Sequence, residues 1–470
     1  MKYSLVGAIT LQLLLVPALA KAVDHSQFLT GPFKSGEEVT KACLQCHDKQ
    51  AEDFMKTSHW KWKGIPNTVK GLEKSKMELG KANLINNFCL SIEGANEEVC
   101  SKCHAGYGWK DKSYSTYNFN DKTKIDCLVC HAKEGNYKKG FGGDPDKKLI
   151  ESGKMDLTKA AQSVGKPTRD NCGACHYYGG GGDAVKHGDL DSTLSKPSRE
   201  LDVHMGGSAN LQCTDCHVTK NHKIPGVSTF LATSVGKVSC TNCHVKPHND
   251  TPLGKILSKH TKTVACQTCH IPYFARGQAV KMSWDWSAAG QDIKSEPQFG
   301  KVTFDKKKGS FTWAMNVVPT YAWYNGKIER YIKGQKIEDP TQIVYLSKPV
   351  GDIKDPESKI YPFKIHKGKQ PMDSVNKYLL TPNLVKGFWA HFNWQKALED
   401  GSKASGLPFS GKFEFVETAY YDILNHQIAP KENALKCNDC HLGGNRLDWK
   451  ALGYKGDPII FGVRIIKKAK

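Results

Sequence analysis

Eight times in this chain a Cys-x-x-Cys pair is followed at once by a histidine. The thiol pairs are Cys43 and Cys46, Cys100 and Cys103, Cys127 and Cys130, Cys172 and Cys175, Cys213 and Cys216, Cys240 and Cys243, Cys266 and Cys269, and Cys437 and Cys440. The closing histidines are His47, His104, His131, His176, His217, His244, His270 and His441. This spacing is what covalent c-type haem attachment needs. Two thiols a helical turn apart reach the two vinyl groups of one porphyrin, and the next side chain offers imidazole to the iron. Zinc knuckles have no reason to place a histidine directly after every second cysteine. Cysteines two residues apart seldom bridge well outside redox sites. The motifs therefore imply eight covalently bound c-type haems, consuming sixteen of the seventeen cysteines. Cys89 is left over.

Each iron needs a sixth partner or an open position. Ten histidines lie outside the motifs. His59, His187, His204, His222, His248, His260 and His426 are the candidate axial ligands, because most sit within a short turn of a motif. His25, His366 and His391 are spares. Ten free histidines are enough to cap all eight irons, so the count alone does not separate an electron wire from an enzyme.

The elements that must hold these groups are sparse. The chain is hydrophilic, rich in glycine and lysine, and seven motifs crowd into the first 270 residues. The expected fold is that of a multihaem cytochrome c: mainly short α-helices and loops wrapped around haems, with a small β-containing haem-free segment. Four regions follow. Residues 1–22 read as a cleavable signal peptide, with Lys2 ahead of the apolar run from Leu5 to Val16 and small residues at Ala18, Ala20 and Ala22. Residues 23–270 form a heptahaem region, 271–436 a haem-free subdomain, and 437–470 the eighth haem segment. The apolar run is too short to span a bilayer, and no later stretch is longer. An exported protein of the periplasm is the expectation.

In the haem-free stretch, Val302 to Met315 alternates around a Lys/Gly turn, and Thr320 to Tyr331 carries an Asn-Gly hairpin signal. Val385 to Leu398 and Glu417 to His426 read as helical. The stretch as a whole reads as a packing and docking subdomain without chemistry. The formal charge of +20 falls by about eight units once ferric haems and their propionates are added. The residual basicity suits small anions or acidic redox partners. Nucleic acid does not fit an exported, haem-loaded chain.

One segment carries more. Gly179 to Asp191 reads GGGGDAVKHGDLD directly after the fourth motif. With it, the eight motifs, NEEVCSKCHAGYGW at the second motif and CQTCHIP at the seventh, the chain resembles the octaheme tetrathionate reductase family of periplasmic cytochromes c. That family is related to hydroxylamine oxidoreductase and pentahaem nitrite reductase. The resemblance spans essentially the whole mature chain. It implies an active-site haem with an ordinary proximal histidine, a distal lysine and a nearby free cysteine. Carried over, these are the haem of Cys100, Cys103 and His104, with Lys186 as distal ligand and Cys89 in the pocket. Lys154 and Lys166 are the other lysines near the segment.

A lysine amine binds iron only when neutral, and the glycine run lets the backbone approach a porphyrin. Asp183, Asp189 and Asp191 are placed to orient that lysine or supply protons, Asp183 foremost. Cys89 reads equally as a small buried apolar residue or as a thiol contacting a sulfur substrate. The implied activity is reduction of tetrathionate, with nitrite and hydroxylamine chemically reasonable. Electrons would come from a periplasmic or membrane-anchored donor cytochrome. The alternative is a non-catalytic electron-transfer protein with every haem six-coordinate.

Overall fold

The computed structural model describes residues 23–88, 90, 96–228, 230–231 and 233–465. The expected signal peptide and Cys89 lie outside the described residues. From His25 to His270 the described residues form a series of mostly short helices joined by loops. Each motif winds into a turn of helix, as in Leu128–His131, Cys213–Cys216, Cys266–His270 and Cys437–Cys440. One turn puts residues three apart on the same side, which is what two thioethers to one ring require.

The longest helix, α1 (Gly36–Phe54), starts at Ser35, whose hydroxyl accepts the Glu38 amide. It carries the first motif and leaves helical geometry at His47. Helix α2 (Arg169–His176) ends on the fourth motif. Helix α3 (Pro252–His260) has Thr251 as its cap and proline at its first position, and it delivers His260 at its last.

The haem-free stretch folds around an eight-stranded sheet. Its strands are β1 (Val280–Asp285), β2 (Phe304–Asp305), β3 (Gly309–Ala314), β4 (Thr320–Tyr324), β5 (Ile328–Arg330), β6 (Val344–Pro349), β7 (Lys359–Asp373) and β8 (Phe413–Ile423). The order is β2-β3-β1-β7-β8-β6-β5, with β4 also on β7. The Lys/Gly turn after Val302 does make the β2–β3 hairpin.

Two local expectations are corrected. Asn325-Gly326 turns the chain, but β4 pairs with β7 and β5 with β6, so it is a corner and not a hairpin. Glu417 to His426 is not a helix. Its first part lies in β8, antiparallel to β7 from Phe363 opposite Ile423 to Asp373 opposite Phe413. Partners on both sides outweigh the local helical preference. The other expected helix, Val385 to Leu398, is helical over Leu384–Phe388 and Trp389–His391 and again from Trp394 in helix α4 (Trp394–Ser405), broken at Phe392 and Asn393.

The sheet does not close its own core. Ile85, Phe88, Leu90 and Val185 complete the cluster that contains Trp284, Trp286, Leu346, Phe388 and Tyr420. Phe88 is 2% exposed, and burying such a side chain stabilises by about 2–3 kcal/mol. That packing pins the haem region's lysine loop to the sheet. Among the described residues, no helix is long and apolar enough to cross a membrane.

Candidate functional site

Two imidazoles on opposite sides of one iron, each about 2 Å from it, place their ring centroids about 6 Å apart. Six motif histidines meet a second histidine at that separation. The pairs are His25 with His47 at 6.3 Å, His59 with His176 at 6.2 Å, and His222 with His131 at 6.3 Å. His204 lies 5.9 Å from His244, His426 lies 6.5 Å from His217, and His260 lies 6.2 Å from His441. His248 stands within electrostatic reach of His270 and completes the set.

The hydrogen bonds at the far side of these rings suit ligation. A metal-binding imidazole donates from one nitrogen to an acceptor, which keeps the lone pair on the other. His131 Nδ1 meets Gly165 O at 2.9 Å, His217 Nδ1 meets Pro225 O at 2.7 Å, and His260 Nδ1 meets Ile256 O at 3.0 Å. His441 Nδ1 meets Asp457 at 2.7 Å, and His426 Nδ1 lies 3.4 Å from Asp189. In every case the partner is an acceptor, so Nε2 is left bare.

His104 breaks the pattern. The ring is fully buried in a box of Trp60, Trp62, Trp109, Tyr117 and Phe119, with centroids 4.8 to 6.1 Å away. Its Nδ1 accepts from the Trp109 indole at 3.1 Å. An indole N–H can only donate, so Nδ1 holds the lone pair and Nε2 carries the proton. Nε2 then donates to Trp60 O at 2.5 Å. The expectation that His104 is the proximal ligand is corrected, because no lone pair faces a porphyrin. Lys139 reinforces the arrangement from the backbone side, donating to His104 O and Gly106 O and pairing with Asp126 at 3.2 Å.

Lys186 lies beside the same motif, where its charge acts on the Cys103 thiol. The residue keeps some accessible surface, but its ammonium sits 4.0 Å above the Phe230 ring. Burial among such groups lowers its pKa to about 8, with Asp422 opposing and Arg330 reinforcing the shift. Its loop is fixed by the sheet. Lys364 of β7 donates to Val185 O at 2.9 Å, Lys186 O at 3.0 Å and His187 O at 3.2 Å. Directly across the strand pair from Lys364 is Asp422, which accepts from His187 Nδ1 at 2.8 Å.

That bond corrects a second expectation. Among the described residues His187 makes no ring contact with a motif histidine, although its charge reaches His176, whose ring partner is His59. It serves as a strut for the lysine loop, while His25 stands opposite His47. Asp183 is also spent locally. Its carboxylate accepts from the Ser192 amide at 3.0 Å, the Ser192 hydroxyl at 2.5 Å and Gln278 at 2.9 Å. These bonds make it a brace of the loop. Asp191 does similar work with Thr193 and Gln427, and Asp189 steadies His426. Of the spares, His391 Nδ1 accepts from the Asn393 amide, and His366 lies on the sheet face under Phe88.

The motifs touch one another through their thiols. Thiols of different motifs lie side by side, Cys43 with Cys127, Cys103 with Cys175, Cys172 with Cys213 and Cys240 with Cys266. Electrostatic neighbours extend the series from Cys130 to Cys172, Cys216 to Cys243 and Cys269 to Cys437. The resulting order is first, third, fourth, fifth, sixth, seventh, eighth, with the second motif branching from the fourth. The donor set fits c-type haem at seven motifs through two imidazoles. At the second it fits through the two thiols with Lys186 in place of histidine.

The chain is similar to known cytochromes c. The family model "Cytochrome c bacterial" matches residues 281–444, and "Cytochrome c554 and c-prime" matches residues 42–132. An uncharacterized protein of Archaeoglobus fulgidus is 27% identical over 251 residues, 43% of this chain and 80% of its own length. The crystal structure of an octaheme cytochrome c from Shewanella oneidensis superposes with a TM-score of 0.83 at 46% identity. The match covers 93% of this chain and 98% of that one.

Proposed function

The chain belongs to the octahaem cytochromes c, and we propose that it is an exported periplasmic reductase whose reaction site is the second motif. One observation carries this reading. Seven motif histidines have a second histidine as partner, whereas His104 is turned into an aromatic box and Lys186 stands beside Cys103. Held by sixteen motif thiols, eight haems would supply one-electron storage, and the haem of the second motif would be held without a pair of histidines.

The protein's own groups set the rest. Through their bonds to both ring nitrogens, Trp109 and Trp60 would keep His104 from holding the haem of the second motif. Lys364 and Asp422 fix the loop so that Lys186 is offered in its stead. A neutral amine is the form that ligates, and burial moves Lys186 toward it. The branch from the fourth motif places this site beside the line of motifs instead of within it. Buried cations around the site favour an anionic substrate. A sulfur oxyanion such as tetrathionate is the first choice, with nitrite and hydroxylamine also reasonable. A donor cytochrome would load electrons elsewhere along the line. The rival reading, a wire of eight equivalent six-coordinate haems, has no place for His104 as it stands.

The test is magnetic spectroscopy of the oxidised protein, joined to turnover with reduced viologen and tetrathionate, nitrite, hydroxylamine or sulfite. Seven bis-histidine signatures and one distinct signature are expected, the latter lost with turnover in Lys186→Ala. Eight bis-histidine signatures, or unchanged rates in Lys186→Ala, would sink the proposal.

A further inference from the structure

The haem-free sheet carries more than packing. Strand register lines up four polar side chains across adjacent strands. Arg330 of β5 is opposite Ser347 of β6, Ser347 is opposite Tyr420 of β8, and Tyr420 is opposite His366 of β7. Directly opposed residues project from the same face of a sheet. That face looks toward the lysine loop. Phe88 packs edge-on to His366 at 5.7 Å and to Tyr420 at 5.6 Å. It also stacks on Phe230 at 6.2 Å, the ring beneath Lys186.

All of this row is buried, Arg330 to 6% and Ser347, Tyr420 and His366 to 0%. Yet Arg330 Nε, Ser347 Oγ and His366 Nε2 have no hydrogen-bond partner. Buried polar atoms are nearly always paired. Three orphans in one row point to a ligand.

Arg330 sets the sign of that ligand. Its guanidinium donates to Leu346 O at 2.6 Å and Ile85 O at 3.4 Å, and it lies 5.0 Å over the Tyr420 ring. Among the described residues no carboxylate pairs with it. Asp422, two residues along β8 from Tyr420 and so on the same face, accepts from His187. A buried cation without a counter-charge is strongly unfavourable unless something anionic joins it. His366 is set as an acceptor. Asn87 gives its amide nitrogen to His366 O at 2.9 Å, so its oxygen faces His366 Nδ1 at 3.0 Å and takes that proton. Nε2 therefore presents a lone pair.

We propose that this row is the oxyanion subsite of the reaction site. Arg330 Nε–H and Ser347 O–H hold oxygens of a sulfur oxyanion, and His366 Nε2 accepts from a protonated oxygen or a bridging water. The proposal rests on the Lys186 reading and adds what recognises the substrate. The experiment uses full-length haem-loaded protein with sulfite as probe, followed through the distinct haem signature. Wild type is compared with Arg330→Gln, Arg330→Lys and Ser347→Ala, and KM and kcat are measured with tetrathionate.

Losing a charge-assisted hydrogen bond should weaken sulfite binding about tenfold to a hundredfold in Arg330→Gln. A smaller loss is expected in Ser347→Ala, where misfolding is not a concern, and partial recovery in Arg330→Lys. KM should rise with them while kcat changes little. Wild-type sulfite affinity in both Arg330→Gln and Ser347→Ala overturns the subsite. So does a shifted resting signature with unchanged affinity, which would make Arg330 an anchor for a haem propionate. If wild type itself gives no response to sulfite, the Lys186 reading falls and takes the subsite with it.

Discussion

His104→Ala separates this motif from the other seven. In an ordinary c-type motif, losing the histidine removes an iron ligand. Here the ring touches protein only, so the cost should appear in stability and not in ligation. The change strands the Trp109 indole and the Trp60 carbonyl, whose bonds to the ring are 3.1 and 2.5 Å long. It also empties a fully buried position walled by five aromatic rings. Truncating a buried ring of this size costs about 3–5 kcal/mol, and the unpaired donor and acceptor account for part of that. Mass spectrometry first establishes that eight haems are attached. Denaturant unfolding then gives the stability loss, and low-temperature magnetic spectroscopy counts the ligation types. The expected result is a weaker fold with the distinct signature intact and seven bis-histidine signatures unaltered. His176→Ala, which removes the partner of His59 at 6.2 Å, should instead convert one bis-histidine haem. Loss of the distinct signature in fully loaded His104→Ala would refute the argument, since it would make His104 a ligand.

Other outcomes follow from the same geometry. His25→Ala should turn one bis-histidine haem high-spin, because His25 faces His47, whereas His187→Ala should leave the spectrum's bis-histidine count unchanged; resonance Raman decides. Lys364→Met removes three bonds to the backbone of the lysine loop. It should cost about 3 kcal/mol and shift the distinct signature alone. Lys281 lies under the Trp284, Phe311 and Trp313 rings. Burial first, then the charges of Lys308 and Lys364, lowers its pKa from 10.5 to about 6. Between these values the unfolded chain binds the proton and the folded one does not, so stability rises with pH across that window. Its own share of the slope is at most about 1.4 kcal/mol per pH unit and flattens below pH 6. Lys281→Met should remove that share in denaturant titrations, leaving the contributions of Lys186 and Lys364, whose pKa values burial also lowers. An unchanged slope in Lys281→Met would refute the assignment to Lys281.

The sequence was most legible where chemistry and local geometry coincide. Each CxxCH needs only one helical turn, and His59, His204, His222, His248, His260 and His426 sit close enough to motifs for their placement opposite or beside a motif histidine to be anticipated. His25 and His187 were exchanged because nearness along the chain does not say which way a loop faces. Only the register of Asp422 on β8 reveals that His187 is taken. His104 carries an ordinary motif, and nothing in CSKCH distinguishes it. The available hint was aromatic density, with Trp60, Trp62 and Trp109 all close in sequence to the second motif. The strand over Phe413–Ile423 was hidden for a different reason. Its pairing partners, Val344–Pro349 and Lys359–Asp373, lie far away in sequence, and long-range pairing overrides local preference.

The partner of Nδ1 decides what each histidine can do. A carbonyl or carboxylate behind the ring, as at His131, His217 and His441, leaves Nε2 free for metal. An indole N–H behind the ring, as at His104, reverses the tautomer and removes that histidine from coordination. Eight identical motifs therefore do not make eight identical sites. The exception, once made, needs another ligand and a reason for keeping it nearby; Lys186 stands on the loop after the fourth motif, and the sheet holds that loop. One rung of β7 and β8, Lys364 with Asp422, holds the loop that carries Lys186. The next rung, His366 with Tyr420, continues through Ser347 to Arg330 and supplies the unpaired polar groups. On the proposed reading, ligand presentation and substrate recognition would share one strand register. A one-residue slip between β7 and β8 would turn both rungs to the opposite face, which is why a segment without a single haem motif belongs to the site.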